Sequence, residues 1–156
     1  MNFLNFNSNV LSHRLIVLTI LLLSTIANYS QETNISKSEL IGSWRVDETP
    51  SLNGISEEDK VMLDSSPEMG IKTKEGIVNR VLSFGPKGIF SQTYGSGRQL
   101  NGTWTLKGQM LTITSLKGNL WEQKIVQVAK DRLILEQLAK GEFHPIVPIL
   151  YLTKNQ

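Results

Sequence analysis

Side chains able to do chemistry are few in this chain, and their spacing argues against most of the reactions they could support. The 2 histidines are His13 and His144. His144, beside Pro145, is the one that follows the leader described below. A lone histidine in a loop builds neither a Ser-His-Asp triad nor a histidine-centred metal site in a monomer. Gly95-Ser96-Gly97 is too short for a nucleophile elbow, which also needs a strand-to-helix setting, and reads as a hairpin turn. Glu57, Glu58, Asp59 and Asp64 lack the alternating oxygen ligands and glycine of a calcium loop. Following Ser56, the first three read as a capped helix start, where carboxylates favour the positive end of the dipole. Glu122 and Glu136 fall on strands, facing water. No glycine-rich phosphate loop precedes a helix. The expectation is a protein that is not an enzyme, with no metal and no cofactor; Arg80 is the single ionisable candidate for an inward-facing catalytic group.

The elements that position these residues are short apolar runs of period two, from Leu40 to Thr153. Strands are predicted at Leu40–Asp47, Ile77–Phe84, Ile89–Tyr94, Leu100–Leu106, Met110–Leu116, Leu120–Ala129, Arg132–Leu138 and Ile146–Thr153. Most connections hold only a few residues, which permits antiparallel neighbours alone. One stretch, Thr49 to Glu75, is long; it predicts a short helix from Glu57 to about Leu63, with Val61, Met62 and Leu63 on a side that would lie across a barrel end. The fold class is therefore all-β: an eight-stranded antiparallel up-and-down barrel with one short helix in the first long connection. Closure removes the two raw edges such a meander would otherwise expose. Pro148 predicts a last strand that pairs only over its C-terminal half. A phase change, with Trp121 and Ile125 on one face and Val126 and Val128 on the other, predicts a bulge near Ile125.

The chain has 156 residues, 40% hydrophobic and 19% charged, with a formal net charge of +2. That is one domain's worth, and its scattered basic residues leave no footprint for nucleic acid. Leu15 to Ala27 is an apolar stretch behind His13-Arg14 and ahead of small polar residues, the pattern of a secretory signal peptide. It falls short of the roughly 20 residues of a membrane span, and an uncleaved N-terminal anchor is the alternative reading. The expected organisation is a signal peptide over residues 1–27, with cleavage after Ala27 or after Ser30. A flexible leader over 28–38 and a barrel over 39–154 follow. Export would place the protein in the periplasm, the cell envelope or outside the cell, with no stable membrane span once the leader is removed. The chain has 0 cysteines, so neither a disulfide nor a lipid-modified cysteine is available to it.

Gly-x-Trp occurs twice, as Gly42-Ser43-Trp44 and Gly102-Thr103-Trp104, each glycine sharing a strand face with its tryptophan. With Leu40-Ile41 ahead of the first, Thr105-Leu106 after the second and Tyr151-Leu152-Thr153-Lys154 at the end, the chain resembles the lipocalin-like proteins, among them small exported bacterial lipocalin-like domains. The Thr-Asp-Tyr-type motif and the usual cysteines of true lipocalins are absent. The resemblance implies a basic residue packed over Trp44 to close the barrel floor beside Gly42, a role for Lys154, or alternatively Arg45 or Arg132. It also implies a small lipophilic or amphipathic ligand in the interior, where Arg80, Phe90, Gln92, Tyr94, Trp104 and Gln137 are the candidate contacts. The polar members of that set fall either inside the barrel or at its rims. The alternative function is a filled barrel that acts as a protein-interaction module or inhibitor in the envelope.

Overall fold

Eight alternating segments form strands in the computed structural model, which describes residues 35–141 and 144–155. The signal peptide, both cleavage points and the leader up to residue 34 lie outside the described residues. The strands are β1 (Gly42–Asp47), β2 (Val81–Phe84), β3 (Ile89–Thr93), β4 (Gln99–Lys107), β5 (Met110–Ser115), β6 (Leu120–Val128), β7 (Arg132–Gln137) and β8 (Ile149–Lys154). Each pairs antiparallel with the next, and β1 pairs with β8, so the sheet closes as an up-and-down barrel. Alternation puts one row of side chains inside: Trp44 and Val46 from β1, Leu82 and Phe84 from β2, Leu133 and Leu135 from β7, Leu150 and Leu152 from β8, all buried. Burying each large side chain contributes about 1.5–3 kcal/mol, and this interior is the main source of stability in a chain without disulfides.

Among the described residues four helices accompany the barrel: α1 (Lys37–Leu40), α2 (Glu48–Asn53), α3 (Glu57–Ser65) and α4 (Pro67–Glu75). α3 is the predicted helix, capped by Ser56 Oγ, which accepts from the Asp59 N–H at 3.1 Å. Its expected apolar side is corrected: Leu63 packs on the core, whereas Val61 is 68% exposed and Met62 also faces outward. α2 and α4 flank it in the same connection. The Ser51 hydroxyl of α2 accepts from the Tyr151 N–H at 3.0 Å, which seats that helix on β8.

Four strand starts differ from the reading above, that of β4 by a single residue, at Gln99. Leu40 ends α1, and β1 opens at Gly42. Ile77 to Arg80 form a turn in which Asn79 takes φ 52°, so β2 opens at Val81. β8 opens at Ile149, immediately after Pro148, whose carbonyl accepts from Gln137 N–H at 2.7 Å. Proline lacks the donor a ladder needs, so pairing begins only beyond it. The register of β6 against β7 shifts between Ile125 and Gln127. The bulge turns Val126 outward and returns Val128 to the core side, which separates two residues expected to share a face.

Meander topology sorts the connections onto two ends. The β2–β3, β4–β5 and β6–β7 turns share one end with α1 and Lys154, while the helical β1–β2 connection, the β3–β4 and β5–β6 turns and the β7–β8 connection share the other. The first end is plugged. Leu40 is fully buried, its carbonyl accepts from Trp44 Nε1 at 2.8 Å, and Phe84, Phe90 and Trp104 form an aromatic layer beside it.

Candidate functional site

At the plugged end, Trp44 on β1 lies directly opposite Lys154 on β8. The Lys154 ammonium sits 4.2 Å from the Trp44 ring centroid and donates to the Ile41 carbonyl at 2.9 Å. Gly42 makes this possible: at φ 135° it occupies backbone space closed to other residues, and a Cβ there would lie 2.7 Å from Lys154 Nζ. The second glycine of the repeat serves differently. A Cβ on Gly102 would collide with the Thr114 carbonyl oxygen, so this glycine admits the neighbouring strand's backbone. In neither case does the tryptophan ring itself fill the space.

The six candidate ligand contacts separate into three groups. Phe90 and Trp104 are sealed in the aromatic layer: Phe84 lies 5.4 Å from Phe90 and 5.5 Å, edge-on, from Trp104, whose Nε1 donates to the Gly85 carbonyl at 3.0 Å. Arg80, Gln92 and Tyr94 come together near the opposite end. Arg80 Nη2 donates to Gln92 Oε1 at 2.7 Å, and its guanidinium carbon stands 5.7 Å from the Tyr94 ring centroid. Gln137 stands apart on β7, donating from Nε2 to the Val147 carbonyl at 2.6 Å.

Among the described residues, three clefts stand out at that opposite end. One of about 510 Å³ lies between the β3–β4 and β5–β6 turns and is lined by Tyr94, Arg98, Leu100, Leu116, Lys117 and Trp121, among others. A second of about 350 Å³ lies between β6 and the segment after β7, lined by Trp121, Glu122, Gln123, Gln137 and Lys140, among others. The third, about 380 Å³, lies between α4 and the β3–β4 turn. Trp121 belongs to both of the first two and is 40% exposed, although its strand parity is that of buried Gln123 and Ile125. An inward-facing ring at the mouth of a barrel is half wet.

Polar groups are concentrated here. Gln123 is 4% exposed, and among the described residues its Oε1 has no hydrogen-bond partner; the Arg80 Nε is likewise enclosed and without a partner among them. A buried polar atom without a partner costs about 1–3 kcal/mol, so two of them at one end of a barrel call for an explanation. Burial pulls the Arg80 guanidinium below its ordinary range; Tyr94 opposes this and Arg98 adds to it. Across the same end, His144 Nε2 and Asp59 Oδ2 meet at 3.1 Å, tying α3 to the β7–β8 connection. Hydrogen bonds from Ser56 and then His144 hold the Asp59 carboxyl below its usual value.

Trp121, Gln123, Arg98 and Lys117 are absent from the sequence-derived candidates. Parity alone marks Trp121 and Gln123 as inward, since both share the strand face of buried Ile125. Arg98 and Lys117 lie in turns, where no periodicity operates. No family model, curated protein or solved structure matches this chain. Its architecture, an eight-stranded closed antiparallel barrel, is consistent with a lipocalin-like fold.

Proposed function

We propose that this chain is an exported, lipocalin-like barrel that binds a small lipophilic or amphipathic molecule, admitted at the end carrying Trp121. The observation behind this is a half-exposed tryptophan shared by two clefts of about 350 and 510 Å³, one of which has an unpartnered buried amide oxygen in its wall. Ligand sites have about this size and this mixture of apolar wall and few polar groups. The floor below is filled by Phe84, Phe90 and Trp104, which confines the ligand to the upper part of the barrel. Export is supported by the apolar stretch from Leu15 to Ala27.

The test is a thermal-shift and native mass-spectrometry screen against extracted lipids, with tryptophan emission followed in the native chain and in Trp121→Phe. Binding should raise the melting temperature and change an emission component that the variant lacks. If nothing co-purifies or stabilises the protein, and emission ignores every hydrophobic probe, the reading is lost. A protein-interaction module is the second reading, favoured by Leu116 at 81% exposure beside Leu120 and Trp121 on the same rim. Cross-linking to a discrete partner, in the absence of any small-molecule effect, would select it.

A further inference from the structure

The three clefts differ in charge. That between β6 and the segment after β7 has both Glu122 and Lys140 in its lining, and the one beside α4 has Lys74 next to Glu75. The largest has Arg98 and Lys117 and no carboxylate among its lining residues. Its polar wall continues into the barrel through Tyr94. The Arg98 guanidinium stacks on that ring at 4.2 Å, and the Arg80 guanidinium stands 5.7 Å from the same centroid. Among the described residues, no carboxylate forms an ion pair with Arg80, Arg98 or Lys117. Gln92 satisfies one Arg80 nitrogen, and the enclosed Nε has no partner among the described residues. An enclosed guanidinium is ordinarily paired, because its desolvation is offset only by a nearby negative charge. The same cleft offers Leu100, Leu116 and Trp121 as apolar wall. One cleft therefore presents uncompensated positive charge and an apolar surface together.

We infer that this cleft is an anion subsite, in which Arg98 and Lys117 receive the carboxylate or phosphate head of an amphipathic ligand while its tail lies against Leu100, Leu116 and Trp121. Arg80, behind Tyr94, is a positioning residue: it orients the ring and adds positive potential without lining the cleft. The inference rests on the binding reading above and names the chemical class of its ligand. Planar guanidinium groups suit such heads, and charge-assisted hydrogen bonds are about twice as strong as neutral ones.

The experiment compares dodecanoate, dodecyl phosphate, dodecanol and inorganic phosphate by titration calorimetry on the full chain. Both anionic amphiphiles should bind at least about tenfold more tightly than dodecanol, a difference of about 1.4 kcal/mol. Their advantage should shrink with added salt and fall to within about twofold in Arg98→Gln/Lys117→Gln. Both residues are exposed, so this variant keeps its fold. Arg80→Gln should reduce the advantage in part, with rescue by Arg80→Lys, and its circular dichroism is checked first. Equal binding of dodecanoate and dodecanol overturns the subsite and leaves the pocket standing. Inorganic phosphate binding as tightly as dodecyl phosphate overturns the amphipathic ligand. Failure of all four to bind removes the pocket reading itself.

Discussion

Gly42→Ala tests the closure of the barrel floor. The substitution acts twice. It places a side chain at φ 135°, a region essentially reserved for glycine, and it sets a Cβ 2.7 Å from Lys154 Nζ. Backbone strain of this kind costs about 1–3 kcal/mol. Moving the lysine forfeits its cation–π contact with Trp44 at 4.2 Å and its hydrogen bond to the Ile41 carbonyl at 2.9 Å. These contribute on the order of 1 kcal/mol each at a partly exposed site. A total loss of about 3–5 kcal/mol follows, read as a fall of roughly 10–15 °C in Tm for a domain of this size. Urea unfolding of the native chain, Gly42→Ala, Lys154→Met and the double variant separates the two effects. In the Lys154→Met background no ammonium contact is left to lose. The methionine tip, which retains an atom at the Cε position 2.8 Å from the new Cβ, turns aside at little cost. The glycine substitution should therefore cost about 2 kcal/mol less than in the native background, the two lost lysine interactions accounting for the difference. Additive free energies would refute the coupling of Gly42 to Lys154. A Gly42→Ala protein as stable as the parent would refute the strain argument as well.

Two further outcomes are expected. Asp59 is held below its ordinary carboxylate value by Ser56 and His144, so its stabilising effect is fully present above that ordinary value and is lost as pH falls through the lower folded value. Urea midpoints of the native chain and Asp59→Asn should differ at neutral pH and converge under strong acid; a gap unchanged down to pH 2 would contradict this. Gln123→Leu removes the unpartnered Oε1 and should raise stability by about 1 kcal/mol while weakening ligand binding in the smaller cleft. A destabilised variant would show that the amide already has a partner in solution.

Period-two alternation made the strands and their order legible, because each inward row has to be apolar for the sheet to curl around it. Pro148 and the phase change around Ile125 were equally legible, since each violates a rule of the ladder. Three of the helices were not, the first of them, Lys37–Leu40, being a single turn of four residues. Glu48–Asn53 is only six residues long and contains Pro50, and Pro67–Glu75 contains Gly70 and presents no continuous apolar stripe. Both are held by what they pack against rather than by propensity. Within the candidate site, Arg80, Gln92 and Tyr94 share one inward row and are found together. Arg98 and Lys117 were invisible because turn residues carry no alternation, and their convergence depends on two turns meeting at one end. Trp121 was legible as inward. That its ring is half wet follows from its height in the barrel, which no single strand reveals.

The seam between β1 and β8 has a consequence for assembly. All other neighbours in the ring are joined by one connection, whereas these two partners are separated by nearly the whole domain. Until Ile149–Lys154 is in place, a growing or truncated polypeptide holds a meander with bare hydrogen-bonding groups along β1 and β7. The final six-residue strand thus decides whether the molecule becomes a self-contained ring or a template for joining its own copies.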